Sequence, residues 1–212
     1  MTRYKAIVAY DGSNFFGFQV QTKSGVEVQR TVQGELNKAV NQMAKQPVTP
    51  IKVVGASRTD TGVHAFGQVV HFDLPFDINP VGVSKGLNTL LPRDILIKAV
   101  TKVSDDFHAR FSTHAKRYFY RVSTTAFTAP FKRHYTGHFH WHLDTSRIQE
   151  ALPDLIGEHD FASFAASGNQ TASTVRTITS AQLIEKPDEQ ELVFVFEGNA
   201  FLYNQIRIMV GV

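Results

Sequence analysis

The fold is decided by residues 51–73, IKVVGASRTDTGVHAFGQVVHFD, in which two apolar segments flank a polar loop. The flanking segments, Ile51–Val54 and Gly67–Asp73, have the apolar and β-branched composition of strands. The loop between them, Gly55–Ala65, is rich in small residues, which allow another backbone to come close. This stretch therefore predicts a sheet in which a polar, irregular loop connects two strands.

The segments on either side of this stretch carry helix and strand patterns. Thr31 is a typical helix N-cap, and apolar residues recur at helical spacing from Val32 to Met43. A second helix is predicted at Asn79–Leu90, where a proline follows shortly after. Further strands are predicted at Tyr4–Tyr10 and Ile95–Val103.

The second half also contains strands and helices, but no sequence repeat that aligns with the first. Its predicted strands are Lys116–Ser123, Thr136–His142, Ser180–Ile184 and Leu192–Glu197. The last of these is apolar on both faces, which predicts a central strand. A helix capped by Asp144 is predicted to extend to Ile156, although Pro153 costs about 3 kcal/mol in a helix interior unless the helix kinks.

The order of elements favours an α+β fold with a mostly antiparallel sheet, because strands and helices do not alternate strictly. We predict two halves, residues 1–106 with the loop 55–65 and residues 107–212. A helical pattern that begins at Asn199 is still in progress at Val212. We therefore expect the natural chain to continue, with this half truncated at its C-terminus.

Composition excludes several classes of protein. Apolar residues make up 42% of the 212 residues, too many for a disordered chain. Without cysteine there is no disulfide framework, thiol nucleophile or cysteine-based zinc site. A net charge of +3 is compatible with RNA binding but does not identify it. Neither a signal segment nor an apolar run of membrane-spanning length is evident, so we expect a cytoplasmic protein with no membrane partner.

Arg58, Asp60 and His64 are the reactive side chains of the loop. Loops between strands often carry function, and a carboxylate there is a candidate nucleophile. A surface turn held by an Arg58–Asp60 ion pair explains the same residues. The chemistry of the loop alone slightly favours that structural explanation.

Other segments change this balance. They are Thr31–Leu36 (TVQGEL), Ser57–Ala65 (SRTDTGVHA), Lys116–Tyr120 (KRYFY) and Gly198–Met209 (GNAFLYNQIRIM). In this order and spacing the chain resembles the tRNA pseudouridine synthase A family. Shorter pieces at Tyr10–Gly12, Phe107–Phe111 and Gly157–Phe161 extend the resemblance over nearly the whole chain. Phe18, Thr61 and Ala200 depart from the usual Trp, Ala and Gly, but none of these changes removes a catalytic group.

The resemblance implies a fold and an activity. The fold is that of pseudouridine synthases, in which two ferredoxin-like halves share a mostly antiparallel mixed sheet and the active-site cleft lies between them. The activity is isomerisation of uridine to pseudouridine at positions 38, 39 and 40 of the tRNA anticodon stem-loop, by a homodimer. Asp60 matches the family's catalytic aspartate, the nucleophile, for which attack on the sugar and elimination to a glycal are both open. Because the uracil is held throughout, no metal, nucleotide or other cofactor is needed.

Three further residues match positions with a role in the family. Tyr118 matches the tyrosine that stacks on the target uracil and is a candidate proton acceptor; a core aromatic on an alternating strand is the alternative. Arg207 matches the basic residue that pairs with the catalytic carboxylate and lowers its pKa; a solvated helix arginine is the alternative. Arg58 matches an arginine implicated in displacing the base and contacting RNA.

Binding of tRNA requires further basic residues. A stacked uridine must be flipped out, at a cost of about a few kcal/mol, and contacts with phosphates offset that cost. The candidates for substrate binding, besides Tyr118 and Arg58, are Arg110, Lys116, Arg117 and Arg121. For each of the basic residues, a charged side chain on a solvated face is the alternative.

Two other functions compete with the enzyme. His138, His140 and His142 alternate along a predicted strand, but that spacing spreads them over about 13 Å, too far for one ion, so we predict no metal site. A catalytically silent RNA-binding protein of the same fold is the main alternative. Asp60 together with Tyr118 and Arg207 favours the enzyme, since binding phosphates requires no carboxylate.

Overall fold

The computed structural model describes residues 1–168 and 171–212, which divide into two compact units. The first unit is Met1–Thr113 and the second is His114–Val212. Residues 107–113, which the sequence analysis assigned to the second half, thus belong to the first unit. Within the described residues, no helix is both long enough and apolar enough to cross a membrane.

The first unit contains a four-stranded sheet and two helices. Its elements in chain order are β1 (Thr2–Tyr10), β2 (Thr22–Lys23), β3 (Val26–Glu27), α1 (Val32–Met43), β4 (Val54–Gly55), β5 (Ala65–Leu74), α2 (Pro80–Leu90) and β6 (Ile95–Lys102). The strand order is β4-β5-β1-β6 with every neighbouring pair antiparallel, and β2 and β3 form a separate ribbon. Strand β1 is therefore hydrogen-bonded along both edges.

Side-chain caps and an apolar face explain the two helices of this unit. The Thr31 side chain accepts a hydrogen bond from the Gly34 N–H, and the Asn79 side chain caps α2 in the same way. Leu36 of α1 and Leu87 of α2 are fully buried in the core, where each contributes about 1.5–3 kcal/mol of apolar burial. Both predicted helices are confirmed.

Long-range polar contacts attach residues 107–113 to the first unit. Arg3 of β1 donates to the Asp73 carboxylate of β5 over 2.7 and 2.8 Å, and to the Phe107 carbonyl over 3.0 Å. On β5, the buried His71 accepts a hydrogen bond at Nδ1 from the Ala109 N–H over 3.1 Å. Two neighbouring strands thus hold this segment at two points.

The second unit is built on a five-stranded sheet. Its elements are β7 (Lys116–Ser123), β8 (Gly137–His138), α3 (Thr145–Ala151), β9 (Gly157–Asp160), β10 (Val175–Lys186), β11 (Glu191–Gly198) and α4 (Gln205–Gly211). The strand order is β8-β7-β11-β10-β9, antiparallel except for the pair β7–β8. Almost every residue of β11 is buried, which confirms it as a central strand. Mixed α/β structure with antiparallel sheets is thus confirmed, while one sheet shared by both halves stays a prediction.

Two predicted elements of this unit are shorter than expected. The helix that was predicted to extend to Ile156 ends at Ala151, because the chain continues as a 3-10 helix at Leu152–Leu155 that accommodates Pro153. The strand predicted at Thr136–His142 is reduced to β8. Beyond β8, the Phe139 N–H donates to the Ser123 carbonyl and the ladder ends.

The last predicted helix starts later than Asn199. The Asn199 N–H donates to the Thr177 carbonyl and its side chain accepts from the Thr177 N–H, which ties this residue to β10. Asn204, at φ 56°, lies in the left-handed region immediately before α4. The helical spacing from Asn199 onwards therefore predicts too early a start for the helix, whose first residue is Gln205.

Candidate active-site loop

The loop that connects β4 to β5 is held by the backbone of a second loop. The Phe18 N–H donates to the Thr59 carbonyl over 3.0 Å, and the Gly62 N–H donates to the Phe15 carbonyl over 3.3 Å. These two hydrogen bonds lie on either side of Asp60. They fix the main chain around this residue relative to the segment that follows β1.

Two glycines allow this close approach. A Cβ added to Gly12 would lie 2.1 Å from the Val63 carbonyl oxygen, and one added to Gly17 would lie 2.6 Å from the Thr59 carbonyl oxygen. Gly17 also has φ +87°, a conformation that L side chains rarely adopt. A side chain at either position would therefore push the two loops apart.

Two buried side chains attach the same loop to the sheet. The Tyr10 hydroxyl at the end of β1 is 2.8 Å from the Thr59 hydroxyl, and Tyr10 is only 4% exposed. Gln68 of β5, also buried, donates to the Ser57 carbonyl over 2.7 Å. Hydrogen bonds thus hold the loop to residues of the sheet as well as to the neighbouring loop.

His64 takes part in the attachment between the loops. Its Nδ1 accepts a hydrogen bond from the Gly12 N–H over 3.0 Å and lies 3.1 Å from Asp11 Oδ1. The Asp11 carboxylate also accepts from the Ser13 N–H and hydroxyl. The histidine that the sequence singled out is therefore placed to hold the loop in position.

Asp60 is half-buried, and Arg58 is exposed. The Val63 N–H donates to the Asp60 carbonyl over 3.1 Å, so the carboxylate sits at the start of a tight turn. Within the described part of the chain Arg58 forms no ion pair. The first unit therefore lacks the turn closed by an Arg58–Asp60 ion pair, which was the structural explanation for this loop.

Tyr118 and Arg207 belong to the second unit. Tyr118 on β7 is half-buried, lies opposite Phe196 of β11, and meets the Phe201 ring edge-on at a centroid distance of 5.1 Å. Arg207 is exposed on α4, a helix that packs against β7. The sequence expectation that these two residues join Asp60 in one cleft stays a prediction.

The basic residues predicted to contact phosphate differ in whether a carboxylate of the protein pairs with them. Arg110 is exposed, and Lys116 is half-buried at the start of β7. Arg117 Nε donates to Glu197 over 2.8 Å, and Arg121 Nε donates to Glu191 over 2.8 Å. Carboxylates of the same unit thus already neutralise the last two charges.

No set of three His, Cys, Asp or Glu side chains in residues 1–168 and 171–212 is arranged to hold a metal ion. His138 ends β8, and its ring stacks on that of His140 at 5.8 Å. Because only His138 lies in a strand, the predicted alternation of His138, His140 and His142 along one strand is wrong.

Sequence reasoning missed Tyr10 and Gln68 as supports of the loop. Tyr10 was noted only as the end of a strand and as part of a family motif, and Gln68 only as part of a strand. The available signal for Gln68 was a polar side chain inside an otherwise apolar strand, since a buried amide requires a hydrogen-bond partner.

Comparison with known proteins identifies the family. A family model described as tRNA pseudouridine synthase matches residues 6–112 and 151–212. Asp60, Arg58 and Arg207 lie inside the matched segments, and Tyr118 lies between them.

Full-length relatives agree with the family model. The chain is 74% identical over 212 residues to the tRNA pseudouridine synthase A of Leuconostoc mesenteroides subsp. mesenteroides, covering 100% of this chain and 83% of that protein. It is 63% identical to the protein of the same name from Oenococcus oeni, covering 100% and 82%. The corresponding identity is 57% for Lactiplantibacillus plantarum, covering 100% and 79%. These matches place the chain in the isomerase class of enzymes. It belongs to the tRNA pseudouridine synthase family, as the sequence motifs predicted.

Proposed function

We propose that this protein converts uridine to pseudouridine in the tRNA anticodon stem-loop, at positions 38, 39 and 40, with Asp60 as the nucleophile. The observation that carries the proposal is the placement of Asp60. It is half-buried in a loop whose main chain is fixed on both sides by hydrogen bonds to Phe15 and Phe18. A catalytic group must be held within about 0.5 Å of its productive position, and a loop braced in this way supports that requirement.

The reaction breaks the C1′–N1 bond, turns the uracil, and forms a C1′–C5 bond. The C5 proton is lost and N1 gains one, so the product is an isomer of the substrate. The Asp60 carboxylate assists departure of the base, either by attack on the sugar or by elimination to a glycal. Tyr118 stacks on the uracil and accepts a proton in this proposal, which its half-buried position beside Phe201 supports.

The two arginines have separate proposed roles. Arg207 pairs with the Asp60 carboxylate and keeps it ionised. Arg58 displaces the target base and contacts RNA, a role that its exposed side chain supports.

Activity requires no metal, nucleotide or other cofactor, so turnover is expected to survive chelation by EDTA. Loss of turnover on chelation and its restoration by zinc would contradict this.

Binding of tRNA by a homodimer in the cytoplasm completes the proposal. Arg110, Lys116, Arg117 and Arg121 contribute contacts with phosphate, which offset the cost of about a few kcal/mol for flipping the uridine. Each half adopts a ferredoxin-like arrangement, and the cleft between the halves holds the uridine. The β-α-β-β-α-β order of the main sheet in the first unit supports this assignment for that half.

The test is incubation of the purified protein with unmodified tRNA, followed by mapping of pseudouridine. The wild-type protein is expected to modify the anticodon arm. Asp60→Asn and Asp60→Ala are expected to lose about 10⁴- to 10⁶-fold in turnover, because neither side chain acts as a nucleophilic carboxylate. Asp77→Asn is a matched control, because it removes an exposed carboxylate that pairs with Lys102 elsewhere in the first unit.

A binding assay separates the enzyme from its alternative. Asp60→Asn is expected to keep its affinity for tRNA, since loss of a carboxylate near phosphates removes a repulsion. Near wild-type turnover by this variant would contradict the role of Asp60. Loss of tRNA binding in step with activity would make Asp60 a structural residue. A wild-type protein that binds tRNA without modifying it would be the catalytically silent RNA-binding protein.

A further inference from the structure

Thr59, the residue before Asp60, is held through both its main chain and its side chain. Its carbonyl accepts from the Phe18 N–H over 3.0 Å, and its hydroxyl lies 2.8 Å from the Tyr10 hydroxyl. The first contact comes from a loop, but the second comes from the sheet. Rotation of the peptide between Thr59 and Asp60 therefore requires that one of the two contacts break.

Tyr10 is a rigid support for this contact. It is the last residue of β1, whose ladder pairs it with Ala65 of β5 on one side and with Ile95 of β6 on the other. Its ring is 4% exposed and packs at 6.4 Å against that of Phe18. Because Ala65 is the last residue of the loop 55–65, Tyr10 holds the loop at two points: the backbone at Ala65 and the side chain of Thr59, the residue before Asp60.

We propose that Tyr10 is a positioning residue for the isomerisation, acting on Asp60 through the Thr59 hydroxyl. This inference rests on the proposed function of Asp60. A hydroxyl-to-hydroxyl hydrogen bond at this partly buried site fixes one rotamer of Thr59 and with it the direction of the main chain towards Asp60. Displacement of a reacting group by about 1 Å lowers turnover by about 10²-fold. Substrate affinity, which depends mainly on contacts with phosphate, does not require the same precision.

The experiment compares kcat and KM for unmodified tRNA between wild type, Tyr10→Phe, Thr59→Val and the double variant. Each single substitution removes one hydroxyl and keeps the shape of the side chain. Both singles are expected to lower kcat by about 10- to 100-fold with KM changed by about 2-fold or less. The double variant is expected to be no slower than the slower single variant, because either change breaks the same contact. Thr59→Ser, which keeps the hydroxyl, should retain activity close to wild type.

Tyr4→Phe is the matched control. Tyr4 is also a fully buried tyrosine of β1, and its hydroxyl also forms hydrogen bonds, donating to the Ile78 carbonyl over 2.8 Å and accepting from the Ile78 N–H. It lies at the opposite end of the strand from the loop. Tyr4→Phe should therefore lower the melting temperature without changing kcat.

The outcomes separate this inference from the proposed function. If Tyr10→Phe and Thr59→Val lower only the melting temperature, as Tyr4→Phe does, the positioning role is wrong. Independent, multiplying losses of kcat in the double variant would also overturn it. Should Tyr10→Phe fold poorly, Thr59→Val at its half-buried site decides the matter alone. Near wild-type activity of Asp60→Asn rejects the proposed function and this inference together, whereas inactive Asp60→Asn with fully active Tyr10→Phe rejects this inference alone.

Discussion

Arg121 Nε donates to Glu191 Oε2 over 2.8 Å, and the carboxylate that it meets is fully buried. Lys132 Nζ lies 2.7 Å from the other oxygen of Glu191. Burial raises the pKa of Glu191, but the close contacts with the cations Lys132 and Arg121 together outweigh burial, and the pKa lies below its ordinary value. The ionised carboxylate therefore ties the segment that carries Lys132 to the start of β11.

Glu191→Gln is expected to lower the free energy of unfolding by about 1–3 kcal/mol, because a neutral amide replaces the carboxylate that contacts Arg121 and Lys132. Glu189→Gln is the matched control. Glu189 also pairs with Arg121, over 3.0 Å, but its side chain is 42% exposed, so its replacement should lower the free energy of unfolding much less. Urea unfolding of the two variants measures the difference. Equal losses would contradict a special role for the buried carboxylate.

Gly17→Ala is expected to reduce both stability and turnover, whereas Gly25→Ala should reduce neither by as much. Both glycines have positive φ, +87° and +79°, so each substitution carries a backbone cost of about 1–2 kcal/mol. Only at Gly17 does the new Cβ meet another backbone, the Thr59 carbonyl at 2.6 Å, whereas nothing lies within 4 Å at Gly25. We expect a further loss of about 1–3 kcal/mol at Gly17 alone.

Thermal unfolding and turnover on unmodified tRNA measure these effects. Because the clash pushes directly on the residue before Asp60, turnover should fall for Gly17→Ala even well below its melting temperature. If the two alanine variants behaved alike, the close approach between the loops would not be important for the position of Asp60.

Local sequence signals predicted the helices and strands of this protein better than they predicted the long-range contacts between residues. The cap at Thr31, the alternation in Lys116–Ser123 and the apolar run at Leu192–Glu197 each act over a few residues, and each element is present. The contact between Tyr10 and Thr59 joins residues 49 positions apart, and no local pattern marks it. The attachment of Ala109 to His71 joins residues 38 positions apart and has the same origin.

Of the site, the sequence predicted the residues but not their supports. Asp60 and Arg58 are candidates because a family motif contains them, and the structure adds why the loop holds one shape. A single sequence does not reveal which glycines face another backbone, and Gly12 and Gly17 are distinguished from Gly25 only by their neighbours in space.

Stability is expected to fall as the pH drops from 7 to 5, in part because of His71. Burial lowers the pKa of His71, repulsion from Arg3 and His108 adds to this, and Asp73 opposes it. In the unfolded chain a histidine binds a proton near pH 6.5, while in the folded protein His71, whose Nδ1 accepts from the Ala109 N–H, binds its proton only at a lower pH. Below about pH 6.5 the unfolded state therefore binds more protons, and the free energy of unfolding decreases by up to about 1.4 kcal/mol per pH unit.

His71→Gln keeps an acceptor for the Ala109 N–H and removes the titration, so its unfolding free energy should depend less on pH over this range. Asp73→Asn is the control. The hydrogen bond from Arg3 lowers the pKa of Asp73 below 3.8, so this carboxylate is ionised in both states between pH 5 and 7. Because Asp73 opposes the lowering of the His71 pKa, this variant should keep a pH dependence at least as steep as that of wild type. An unchanged pH dependence in His71→Gln would exclude His71 as a source of the effect.

Basic residues of this protein should differ in their contribution to tRNA binding according to whether a carboxylate already compensates them. Arg110 and Arg58 are exposed, and in the described ranges neither forms an ion pair. Arg117 Nη2 lies 2.6 Å from Glu197, so the guanidinium of Arg117 would be shared between Glu197 and any phosphate. A cation without a partner gains more from a phosphate, since it gives up only water and counterions.

Arg110→Ala and Arg58→Ala are therefore expected to weaken tRNA binding and to reduce the slope of log affinity against log salt concentration by about 1 each. Arg117→Ala should change the slope less, because part of its charge is neutralised in the free protein. Measurements of affinity between about 50 and 200 mM salt give the slopes, a range over which contacts with phosphate dominate the change. Arg58→Ala should in addition lower turnover at saturating tRNA, since its proposed role includes displacing the base, whereas Arg110→Ala should not. If the slope for Arg117→Ala fell as much as that for Arg110→Ala, Arg117 would have to leave Glu197 when the RNA binds. Ion pairs in the free protein would then not predict which arginines contact the RNA.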